Sequence, residues 1–184
     1  MISELDRLIE QATHYSRRAM RTLGHVPPTI LAVTPTGLAA HVPEGLNNDG
    51  DKDRLVKIAR LIAIGYEASA ITLILESWAV FAAQPGKLNM STPPSQSPNR
   101  VEIVAVMAEA RQSSRQKLLL IQRDEKGKFI GLSAKLSEIT SVSGRFVGLM
   151  QPKAPTEADA FTARMILEEM KVVVSVKGTD PRWN

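Results

Sequence analysis

With 184 residues, 43% of them apolar and 23% charged, the chain has the make-up of an ordinary globular protein, which excludes disordered and fibrous classes. It contains no cysteine, so disulfides, thiolate nucleophiles, zinc fingers and iron–sulfur clusters are excluded together. The formal charge of +4 equals the excess in one window, where Arg111, Arg115, Lys117, Arg123, Lys126 and Lys128 stand against Asp124 and Glu125.

The chain opens on Met1, Ile2, Ser3, Glu4, Leu5 and Asp6, with acids where a secretory signal carries its basic region, so a cytoplasmic location is expected. Ser3 and Asp6 resemble a capping box, and Leu5, Leu8, Ile9, Ala12, Ser16, Ala19 and Leu23 then recur at helical spacing until Gly24, which predicts a helix over about 3–23. Residues 30–33 and 38–42 flank Thr34, Pro35, Thr36 and Gly37 as a short β-hairpin. Asp49 and Asp51 introduce a second helix, whose stripe Leu55, Ile58, Ala59 and Ile62 lies opposite Lys52, Lys57 and Arg60.

Residues 61–83 carry only Glu67 and Glu76 as charges and are long enough to span a bilayer. Each interior acid would cost about 3 kcal/mol in lipid, so a buried helix followed by a core strand is the better reading and no membrane is expected. Residues 71–81 and 101–107 read as strands covered on both faces. Between them, residues 84–99 hold Pro85, Pro93, Pro94 and Pro98 among Gly, Ser, Thr and Asn, a loop long enough to suggest a functional role.

Residues 117–122 and 128–132 flank Asp124 to Gly127 as a second hairpin, and a further short strand is expected at 145–150. Pro155, Thr156 and Asp159 cap a third helix to about Met170, residues 172–176 read as a terminal strand, and the tail 178–184 is expected to be loose. The class is therefore α+β, in one domain over 1–184, with an antiparallel or mixed sheet of about five to eight strands packed with three helices. This element order resembles roadblock and profilin-like modules, which implies a scaffold that binds partners or dimerises; no sequence motif carries the likeness.

Motifs that would carry chemistry fail on their spacing. Counting Asp49 as the first ligand of a calcium loop puts Arg54 where the tight-turn glycine belongs and Arg60 where the bidentate glutamate belongs. The acids there suit a helix N-terminus instead. Leu118 to Arg123, then Gly127, Lys128 and Phe129, with a later helix bearing Arg164, Glu168 and Glu169, resembles fragments of a Nudix hydrolase. Thr156, Met165 and Lys171 stand where that family's metal-binding helix needs further acids and a glycine, so its magnesium–pyrophosphate chemistry finds no ligands. His14, His25 and His41 have no metal-pair spacing, and neither a nucleophile elbow nor a phosphate loop is present. No cofactor is expected.

Three expectations of function remain. The first is a non-catalytic protein-binding or regulatory module acting through the proline-rich loop and the basic hairpin. The second is a nucleic-acid binder, in which Arg17, Arg18 and Arg21 join Arg111, Arg115, Lys117, Arg123, Lys126 and Lys128 along a phosphate backbone. The third is a metal-dependent hydrolase, which requires Glu76, Glu102 and Glu109 to converge. A protein partner leads; nucleic acid and a second copy of the chain are the alternatives.

Overall fold

Helix α1 (Glu4–Leu23) starts on Ser3, whose hydroxyl accepts from the Asp6 amide, and stops at Gly24, which adopts φ +78° and donates its N–H to the Met20 carbonyl. In the computed structural model, which describes residues 3–81, 93–134 and 145–177, the elements then follow the predicted order. Strands β1 (Thr29–Thr34) and β2 (Gly37–His41) pair around Pro35 and Thr36. Helix α2 (Asp49–Gly65), capped by Asn48, leads to β3 (Ala70–Ala79) and β4 (Val101–Ala110). The second hairpin is β5 (Ser113–Arg123) with β6 (Phe129–Ala134). Helix α3 (Glu157–Glu169) opens on a reciprocal capping box of Thr156 and Asp159, and β7 (Ser175–Lys177) follows.

Among the described residues seven strands form one antiparallel sheet in the order β6-β5-β4-β3-β1-β2-β7, an α+β architecture with three α-helices. Strand periodicity assigns its two faces. Leu31, Ala70, Ile74, Val104, Val106, Ala108 and Leu119 pack with Leu5, Leu8, Ala12 and Met20 of α1. Ile30, Ile71, Leu73, Ile103, Ala105 and Met107 pack on the opposite side with Leu55, Ile58 and Ile62 of α2 and Leu167 of α3. β3 and β4 are central and covered on both faces, as their unbroken apolar runs require.

Gly65 lets α3 approach α2 closely. A Cβ there would lie 3.2 Å from Arg164 Cγ and 3.3 Å from the Arg164 backbone nitrogen. The Arg164 guanidinium then donates to the Gly65 carbonyl at 2.7 Å.

Three sequence expectations are corrected. Residues 145–150 form a turn and an irregular strap, because the N–H groups of Gly148, Leu149 and Met150 are taken by the Glu109 carboxylate at 2.9, 2.7 and 3.3 Å instead of by a neighbouring strand. The terminal strand is Ser175–Lys177, since Val172 donates its N–H to the Leu167 carbonyl at the end of α3. β5 begins at Ser113, so Arg111 and Gln112 are a turn between β4 and β5. Residues 84–92 of the proline-rich loop and the tail 178–184 lie outside the described residues. No helix among the described residues is long and apolar enough to cross a membrane.

Candidate functional site

The strand carboxylates do not meet. Glu76 stands opposite Val104 and Glu102 opposite Trp78, which puts both on the α1 face, whereas Glu109 alternates with Met107 and Ala105 on the α2 face. Each already has a structural partner. Glu76 accepts from the Val26 amide at 2.8 Å, Glu102 pairs with Arg123 at 2.6 Å, and Glu109 holds the strap. The convergence on which the hydrolase expectation depended is therefore absent for these three residues. Among the described residues no group of three or more His, Cys, Asp or Glu side chains could hold a metal ion.

The bases of the 111–128 window separate in the same way. β5 runs from Ser113 to Arg123, roughly 33 Å at strand rise, so Arg111 and Arg115 lie at one end of the sheet and Arg123, Lys126 and Lys128 at the other. Lys117 lies between them on the α1 face, opposite Val106. Two of the six are compensated, Arg115 by Asp6 at 3.7 Å and Arg123 by Glu102. The charge window is thus a property of the sequence and not one patch.

Helix α1 crosses the same face of the sheet from one end toward the other. Asp6 reaches Arg115 at one end of the sheet, while the hydroxyls of Thr29 and Tyr15 hydrogen-bond at 2.9 Å and Val26 meets Glu76 toward the other. Arg17, Arg18 and Arg21 stand on the C-terminal half of α1, which these contacts lead from β5 toward β3 and β1 and so away from the β5–β6 hairpin. All three arginines are exposed, and among the described residues none forms an ion pair.

The 145–150 strap is held on both sides. Arg60 donates to the Gly148 carbonyl at 2.9 Å, and Arg145 pairs with Asp49 at 2.8 Å and Asp53 at 3.1 Å. Hydrogen bonds from Arg145 and Lys52 hold the Asp49 carboxyl down at about 2, so these acids anchor the strap to the start of α2. A cleft of about 390 Å³ opens between the strap and the β4–β5 turn, lined by Glu109, Arg111, Ser114, Phe146 and Gly148 among others. Arg111 lines this cleft, and its Nε is buried without a hydrogen-bond partner.

Sequence reading missed the outward face of α3. Ala160, Ala163 and Leu167 bury one side of this helix, yet Phe161 and Met165 stand on the other, 59% and 50% exposed. The signal was legible: Phe161 and Met165 are four residues apart and fall opposite the Ala160–Ala163–Leu167 stripe. Apolar residues on both sides of the helix mark a surface that the described residues leave uncovered.

No family model, curated protein or solved structure matches the chain.

Proposed function

We propose that the protein is a non-catalytic binding module that docks another protein on the outward face of α3. The observation that carries this reading is the pair Phe161 and Met165, exposed on a helix whose opposite side is already buried. The side chains that interrupt the core strands support it as well, since Glu76, Glu102 and Glu109 each serve the fold through a specific hydrogen bond or ion pair. Affinity purification from the native source with the unaltered chain and with Phe161→Asp tests the reading. A stoichiometric protein recovered by the first and lost by the second is the expected result; the same recovery by both ends it.

A second reading, nucleic-acid binding, is favoured by one observation: Arg17, Arg18 and Arg21 are exposed and without ion pairs among the described residues. Its expected outcome is a gel shift that weakens steeply with salt, and the slope falls when these arginines become glutamine. A salt-independent shift, or none, removes it.

A further inference from the structure

We infer that the occupant of the α3 face is a basic amphipathic helix of the partner protein, which rests on the docking reading above and narrows it to one chemistry. Phe161 and Met165 lie one turn apart, so they form a continuous ridge of the kind that packs between the side chains of a facing helix. Beside Met165 is a shallow hollow of about 410 Å³ bounded by Thr162, Ile166, Glu168 and Glu169. Ridge and hollow together match an apolar stripe presented at helical spacing.

Charge selects the partner. The helix Glu157–Glu169 carries four acids against one base. At about 100° per residue, Glu157 and Glu168 fall on one flank of the ridge and Glu169 on the other. All three are exposed, and among the described residues none forms an ion pair. The one base does not compensate them, because the Arg164 guanidinium turns inward to the Gly65 carbonyl. Asp159 is engaged in the capping box. The apolar ridge therefore sits between three exposed carboxylates that make up its rim and form no ion pair among the described residues.

The chain as a whole is positive at +4, which would repel a basic partner if charge acted over the whole molecule. At physiological ionic strength the screening length is only about 8 Å, so the rim within contact range decides what docks. A helix with Lys or Arg flanking its apolar stripe satisfies ridge and rim together, whereas an acidic helix meets the ridge and is repelled by the rim.

The test uses the full chain and two labelled, amidated peptides of about 18 residues, roughly 27 Å as helices. They share one leucine stripe and differ in whether lysine or glutamate flanks it. Fluorescence anisotropy is expected to show the lysine peptide binding at least about tenfold more tightly. Phe161→Asp with Met165→Asp weakens that binding by a similar factor without moving the thermal midpoint, and the triple variant Glu157→Lys, Glu168→Lys, Glu169→Lys reverses the preference. Equal binding of the two peptides, or no reversal, overturns the inference.

Other occupants give other results. A dimer in sedimentation that the Phe161 and Met165 substitutions dissociate assigns the face to a second copy of the chain, and the inference fails. Peptide binding that arises only after Arg182→Ser and Trp183→Ser assigns it to the chain's own C-terminal residues, and the inference fails likewise. If neither peptide binds but a native partner is still lost with Phe161→Asp, the docking face stands and its basic chemistry is wrong. A native partner retained by Phe161→Asp overturns both.

Discussion

On one face of the sheet, α1 supplies its own start, stop and apolar stripe within a single run of sequence; on the other, cover comes from α2, the 145–150 strap and α3, pieces separated by most of the chain. The first face is held chiefly by apolar burial, with Val26 tied to Glu76, Tyr15 to Thr29 and Asp6 to Arg115. The second needs polar clasps as well, from Glu109, Arg60 and the Arg145–Asp49–Asp53 cluster. A continuous helix matches a strand face by periodicity alone. A strap without periodicity has to be fixed by hydrogen bonds to its own backbone.

Truncating one core side chain per face gives the largest expected effects. Leu8 on the α1 side and Ile62 on the α2 side are both fully buried. Each change to alanine should cost about 3 kcal/mol in urea unfolding, the ordinary loss for a large aliphatic side chain plus its cavity. Near-equal losses would show that both faces are packed to the same density despite their different construction. A loss below about 1 kcal/mol at Ile62 alone would mean the assembled face collapses around the cavity and is the looser of the two.

The clasps give the next effect. Glu109→Ala leaves three strap amides without their acceptor and should cost about 2 kcal/mol, whereas Glu76→Ala leaves one amide and should cost about 1 kcal/mol. Hydrogen exchange locates the difference. The amides of Gly148, Leu149 and Met150 should lose protection in the first variant while those of α1 keep theirs. Uniform loss over both faces would show that the strap unfolds with the whole molecule and not as a separate unit.

The same contrast explains how much could be read from the sequence. α1 was legible to its last residue because Ser3, the apolar stripe and Gly24 all act locally. The two hairpins and the capping box at Thr156 were legible for the same reason. The strap was read as a strand because Phe146, Val147, Leu149 and Met150 are apolar, and nothing local shows that a carboxylate almost forty residues upstream will take its amides. Whether the carboxylates converge was not legible on the same ground, since strand parity between β3 and β4 depends on register, which alone assigns Glu76 and Glu102 to one face and Glu109 to the other. The spread of the basic window was not legible because a charge count along the chain ignores the length of β5, and the exposed side of α3 is masked in sequence by Glu168 and Glu169, which make it look solvated.

The smallest expected effect concerns acid. The Asp49 carboxyl is lowered from 3.8 to about 2, chiefly by the Arg145 hydrogen bond and then by that of Lys52. Because the folded value lies below the unfolded one, the unfolded chain binds the extra proton between them. The stabilisation is complete above about pH 4 and is lost as pH falls from there toward 2. Asp6 on the α1 side is lowered too, chiefly by the Ser3 hydroxyl within its own helix start and then by Arg115. The two carboxylates therefore separate a clasp made across the fold from a cap made within a few residues. In an NMR titration of side-chain carboxyls, Arg145→Ala should return the Asp49 midpoint toward 3.8 and leave that of Asp6 unmoved. An Asp49 midpoint unchanged by the loss of Arg145 would mean that the strap is not anchored to α2 through this pair, and the α2 face would then depend on Glu109 and Arg60 for its closure.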